Sequence, residues 1–167
     1  AELLAFASAF HQRLGGTMGA TAEPLPTAGN VAPPAKTSTI RVAVVGAHLS
    51  GEPLNGQLTD LGARLVRACR TAALYRLYAL PGTTPPKPGM ARTAAGGSPI
   101  EVEVWEMDRA AFGSFFRGVV APLCMGTLEL EDGEKVAGFL CESHALAGAE
   151  DITSFGGWRA YRRSLGA

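Results

Sequence analysis

An excess of either charge is missing from this sequence: 15 Lys and Arg face 15 Asp and Glu, for a formal net charge of zero. That balance removes the basic face that nucleic acid or an anionic membrane surface would require. Long apolar runs are also missing, none approaching the roughly 18 residues that a membrane span needs. Cysteine is scarce and unpatterned. Cys69, Cys124 and Cys141 are odd in number and lack C-x-x-C spacing, which argues against a disulfide framework or a zinc site and predicts free buried thiols in a reducing cytoplasm. Three scattered histidines and scattered acids give no metal-ligand spacing, so neither a metal nor a cofactor is implied. The N-terminus lacks the basic start, apolar middle and small-residue cleavage site of a secretory signal. It also lacks an initiator Met, from which the chain is expected to be a fragment of something longer.

What is abundant is glycine and proline, 21 and 11 of the 167 residues, which calls for many turns and argues against a helical bundle. With 47% hydrophobic and 18% charged residues there is apolar mass for one core and too little charge for disorder. Leu3, Phe6, Ala7, Phe10 and Leu14 form a helical stripe stopped by Gly15-Gly16, and Thr17 to Lys36 reads as a Pro/Gly/Ala-rich linker. Residues 1–36 are therefore expected to be the end of a preceding domain with its tether, and 37–167 the folded unit. Within it, Ile40–Val45 reads as a buried strand, Asn55–Leu61 as a short helix, and Arg64–Cys69 and Tyr75–Leu80 as strands. Pro81–Gly89 reads as a rigid loop that cannot be sheet interior. In the strand around Ile100–Met107, Glu101, Glu103, Trp105 and Met107 share one face. Asp108 caps a helix with Phe112, Phe115, Phe116 and Val119 inward, and Asp132-Gly133 turns a hairpin between Thr127–Leu130 and Lys135–Cys141. Trp158 and Tyr161 anchor the tail. The sum is an α+β fold of five or six strands, a small mixed or antiparallel β-barrel with a packed helix.

Three places could carry chemistry. Val45-Gly46-Ala47-His48-Leu49-Ser50-Gly51 follows a buried strand, and a Gly-bracketed turn can aim successive backbone N–H groups into one concavity that suits a carboxylate. A plain glycine turn would look the same. Glu103 has large apolar neighbours; on a core face its pKa should rise, which suits a general acid or base, whereas on a solvent face it is an ordinary surface acid. Lys87, held among prolines, could grip an anion or be a solvated loop lysine. Arg159, Arg162 and Arg163 read as a solvated C-terminal face, and His11 and His144 have no distinguishing setting.

Taken together, these segments resemble the gamma-glutamyl cyclotransferase-like fold. The loop 45–51 is similar to that family's Tyr-Gly-Thr/Ser-Leu-x-x-Gly, Val102-Glu103-Val104-Trp105-Glu106 to its Gly-Glu-Val-Tyr-Glu, and Gly156-Gly157-Trp158-Arg159-Ala160-Tyr161 to its Gly-Asp-Trp-Arg-x-Tyr; Tyr75-Arg76-Leu77-Tyr78 also fits. The resemblance spans about residues 40–163. Gly46 to Gly51 followed by Pro53-Leu54-Asn55, with the Pro85–Gly89 loop and Phe155-Gly156-Gly157-Trp158, looks like one branch of it, the C-terminal domain of allophanate hydrolase.

That resemblance implies an N-terminal amidase domain in the same chain, cytoplasmic, as a homodimer, with no nucleic-acid or membrane partner. The amidase half releases ammonia from allophanate, and this domain decarboxylates the remaining dicarboxylate-like dianion, N-carboxycarbamate. The implied site has His48 and Glu103 as catalytic residues, His48 foremost, with Gly46, Ala47, Leu49, Lys87 and Tyr78 binding substrate. Loss of CO2 from nitrogen needs a positioned proton donor, fixed donors for the carboxylate that stays, and an apolar wall for the one that leaves neutral. Two other readings stand beside it: a cyclotransferase acting on gamma-glutamyl amines, which the missing loop Tyr at Val45 and the His at 48 weigh against, and a non-catalytic module holding amidase oligomers together.

Overall fold

The structure, a computed structural model, describes residues 38–166 throughout and, before them, Phe10, Arg13, Thr17–Met18 and Glu23–Pro24. Backbone contacts divide the chain into two compact units, Ala1–Lys36 and Thr37–Ala167. In the first, β1 (Thr17–Met18) pairs antiparallel with β2 (Glu23–Pro24), so the stretch read as linker contains a short ladder. The expected helical stripe lies outside the described residues except at Phe10 and Arg13, both helical.

The second unit is built on β3 (Thr39–Val44), whose Val42, Ala43 and Val44 are fully buried. A β-branched run with no polar alternation is what a strand covered on both faces requires. On one side β3 pairs antiparallel with β7 (Glu101–Asp108), and on the other parallel with β9 (Lys135–Cys141). With β4 (Arg64–Arg70) beyond β7 and β8 (Leu123–Glu129) beyond β9, the order is β4-β7-β3-β9-β8. A smaller sheet, β10-β5-β6, joins Glu150–Asp151, Tyr75–Ala79 and Pro88–Arg92.

The expected barrel is not closed. Among the described residues the two outer strands of the large sheet meet through one bridge, Thr71 to Leu130, flanked by Ala72 N–H to Glu129 C=O at 2.9 Å and Glu131 N–H to Arg70 C=O at 3.0 Å. Among the described residues no ladder joins β4 to β8, and the chain spends its remaining strands on the separate three-stranded sheet. The strand tally is accordingly higher than expected, eight in this unit among the described residues. One addition, β6, begins inside the stretch read as rigid loop. Proline is compatible with it because β6 is an edge strand and Pro88 is its first residue.

Three short helices complete the unit: α1 (Gly56–Thr59), α2 (Arg109–Arg117) and α3 (Trp158–Ser164). Asp108 caps α2 as its position predicts, Oδ1 accepting the Ala111 N–H at 2.7 Å. The inward face of α2 is narrower than expected. Ala111 and Phe115 are buried and Phe112 packs partly on the core, but Phe116 is 50% exposed. One residue past Phe115 is about 100° around the helix, which carries Phe116 off the buried stripe. Trp158 and Tyr161 are buried as anchors, and Tyr161 donates to Glu150 Oε2 at 2.8 Å.

Candidate active site

The turn after β3 is compact and internally bonded. Gly46 stands at φ +86°, and a Cβ there would collide with the Pro88 ring, so glycine is required twice over. Leu49 N–H donates to Gly46 C=O at 3.0 Å, and Leu54 N–H to Ala47 C=O at 2.8 Å. Asn55 Nδ2 donates to His48 C=O at 3.0 Å. The expected row of free amides from Gly46 to Leu49 is therefore shorter: the Leu49 N–H is committed, while those of Ala47 and His48 have no partner among the described residues. Leu49 itself is a fully buried core residue.

His48 is buried and sits between two rings, stacked on Phe139 with centroids 5.2 Å apart and met edge-on by Phe115 at 5.3 Å. Its Nε2 lies 3.0 Å from Gln57 Oε1 on α1. Burial pulls the imidazole below its ordinary value, the Gln57 hydrogen bond opposes that, and the Lys87 ammonium adds to the lowering. These groups wall a cavity of about 60 Å³, room for a handful of waters, whose other sides are Leu54, Phe115, Gly118–Val120, Leu123 and Phe139. Lys87 reaches it from the loop before β6. Its backbone is fixed at both ends, N–H to Thr83 Oγ1 at 2.9 Å and C=O from Leu80 N–H at 3.1 Å.

Of the two positions its pattern left open, Glu103 takes the core face. It is buried on β7, does not line this cavity, and accepts four hydrogen bonds: Ser50 N–H at 2.8 Å, Ser50 Oγ at 2.9 Å, Trp105 Nε1 at 3.2 Å and Arg159 at 2.8 Å. Burial alone would raise its pKa, as expected from the sequence. Arg159, the two Ser50 donors and Trp105 outweigh burial and hold the carboxyl below its ordinary value. Glu103 is thus a fixed carboxylate rather than a reservoir of protons. Arg159, read from the sequence as solvated, also donates to Glu101 at 2.9 Å and to Ser50 C=O at 2.7 Å. Three atoms of Ser50, two residues beyond His48, are held by this clamp.

Of the expected site residues, the fold brings His48 and Lys87 to one cavity, with Gly46 and Ala47 in the turn behind it. Tyr78 is on β5, opposite Gly89 and Asp151, and does not line the cavity. Gln57, Phe115, Phe139 and Arg159 were missed. Only Arg159 had a signal, its place in the Trp158-Arg159-Ala160-Tyr161 motif, because the others meet His48 through the folding of separate segments.

A chain with this turn, this strand carboxylate and this C-terminal clamp can be set against known proteins. Residues 40–163 match the family model described as "Allophanate hydrolase C-terminal domain". The chain belongs to that family. It is similar to the urea amidolyase of Saccharomyces cerevisiae, 43% identical over 77% of this chain and 7% of that protein. A Kluyveromyces lactis allophanate hydrolase structure is 42% identical, with a TM-score of 0.74, over 77% of this chain and 22% of that one. The chain thus spans a small fraction of those relatives. By contrast, a uropathogenic E. coli-specific protein of solved structure, 35% identical with a TM-score of 0.70, is covered over 96% of its length. Among the described residues of this chain no helix is long and apolar enough to cross a membrane, and no group of three or more His, Cys, Asp or Glu could hold a metal ion.

Proposed function

We propose that this allophanate hydrolase C-terminal domain decarboxylates N-carboxycarbamate, the dianion left when an amidase removes ammonia from allophanate. The observation that carries the reading is a small cavity with one imidazole and one ammonium, His48 and Lys87, set in walls that are otherwise mostly apolar. The retained carboxylate binds Lys87 and the amide of His48. The departing carboxylate lies against Phe115, Phe139 and Val119, where a neutral product is favoured over an anion. As the C–N bond breaks, its electron pair goes to nitrogen, which takes a proton from the His48 imidazolium. Carbon dioxide and carbamate leave, and carbamate then decomposes in water to ammonia and a second carbon dioxide.

Burial and Lys87 disfavour that imidazolium before substrate binds. A dianion beside the ring reverses the balance, so proton uptake accompanies substrate binding. Glu103 has no proton to give; it holds the turn through Ser50. The same reading puts the domain after an amidase half, as a dimer, in the cytoplasm.

The test supplies the chain with N-carboxycarbamate formed in situ by a separate amidase and follows CO2 release. His48→Asn should lower the rate by about 10²–10⁴-fold, and Lys87→Met should raise KM more than it lowers kcat. Full CO2 release by both variants, or no acceleration by the wild-type chain, overturns the proposal. Release of 5-oxoproline from gamma-glutamyl amines would point to the cyclotransferase reading, and an altered oligomer size with unchanged turnover in His48→Asn to the assembly module.

A further inference from the structure

The hydrogen bond between His48 Nε2 and Gln57 Oε1, 3.0 Å long, is the only one its ring makes to a described residue. With the Gln57 amide in this orientation its oxygen accepts, which sets the proton of the neutral ring on Nε2 and the lone pair on Nδ1. Among the described residues no side-chain nitrogen or oxygen is both sealed from solvent and unpartnered. Nδ1 has no partner and is therefore not sealed, and His48 lines a cavity together with Gln57 and Lys87. Phe139 stacked on one face and Phe115 against the edge keep the ring from turning to exchange its nitrogens.

We propose that Gln57 is a positioning residue, which fixes the tautomer of His48 so that Nδ1 is the atom that takes up a proton and passes it to a ligand in the cavity. This rests on the reading of His48 as the proton-handling group. The charges around the ring leave the task to Gln57. Lys87 faces the cavity and repels a proton, no acid lines it, and the nearby Glu103 is neutralised by Arg159. Protonation of Nδ1 leaves both ring nitrogens as donors, one to Gln57 Oε1 and one to the substrate nitrogen. Return of that proton with C–N cleavage restores the starting tautomer.

Long-range ¹H–¹⁵N correlation on the labelled chain reads the tautomer and titration of His48 directly, its signals assigned by their loss in His48→Asn because His11 and His144 are also present. The wild type should show the Nε2-protonated pattern. Gln57→Leu should give a tautomer mixture and titrate at lower pH, having lost the acceptor. Gln57→Glu should keep Nε2–H and titrate about 1–3 pH units higher, with the pH profile of CO2 release moving in the same direction. An Nδ1-protonated wild type, or unchanged tautomer and titration in both variants, overturns the inference. If Gln57→Leu does not fold, the direction of the Gln57→Glu shift decides alone. The expected tautomer in a chain that does not accelerate decarboxylation would sink the proposed function and leave the assignment of Gln57 in place.

Discussion

Replacing Arg159 by Met keeps most of the stem's packing and removes a cation that binds three acceptors. The Glu103 carboxylate, 5% exposed in its side chain, would be left in the interior with its Ser50 and Trp105 donors but no counter-charge. A fully buried pair broken on one side costs about 3–5 kcal/mol. Here the three remaining donors reduce that, whereas loss of the bond to Ser50 C=O adds roughly 1 kcal/mol. The half-exposed contact to Glu101 adds about 0–1 kcal/mol. The expected cost is therefore about 2–4 kcal/mol. Urea denaturation followed by Trp fluorescence measures it at pH 7, and the cycle with Glu103→Gln isolates the pair. Glu103→Gln alone should also destabilise, and the double variant should cost clearly less than the sum of the singles. In the single Arg159→Met variant Glu103 should titrate higher, so its share of the acid-side loss of stability should shrink and the cost of the substitution should diminish as pH falls through the carboxylate range. A cost below about 0.5 kcal/mol with additive singles would mean that the clamp does not form, and the account of how the turn is held would be wrong.

Three further outcomes follow from the same contacts. His48 has a folded-state pKa below its ordinary 6.5, so the unfolded chain binds its proton first as pH falls; its contribution is full above about pH 6.5 and is lost below it. Urea midpoints measured from pH 8 to 5 should decline in the wild type and flatten in His48→Gln. Phe139→Ala should cost about 3–5 kcal/mol in urea melts and move the His48 titration back toward its ordinary value as water reaches the ring. Asp108→Ala, which removes the Oδ1 bond to Ala111 N–H, should cost about 1 kcal/mol in thermal denaturation.

Local pattern was enough for much of the fold. The β-branched run at Ile40–Val45, the Asp108 cap and the Asp132-Gly133 turn each encode their element within a few residues, and each is found within a residue or two of its expected place. Non-local outcomes were not legible. β8 starts at Leu123, not Thr127, because pairing with β9 extends it through residues with no alternation of their own. The faces of β7 could not be told apart because β3 and β4 flank it and both faces are covered, so Val102, Glu103, Val104 and Trp105 are all buried. The site divides in the same way. The glycine turn and His48 could be picked out from composition, but the sign of the Glu103 shift depends on an arginine 56 residues away. Gln57 meets His48 only because the loop between them folds back on itself.

The seat of Pro88 over Gly46 has a wider consequence. Lys87 and His48 come from loops about forty residues apart in sequence; Lys87 adjoins Pro88, and His48 lies two residues beyond Gly46. The gap between ammonium and imidazole is thus gauged by bare main chain at 46, where no side chain intervenes. Any larger residue there acts as a shim, widening the gap between the cation and the proton carrier whatever it does to stability. A shift of one loop is thus passed to the other through that contact.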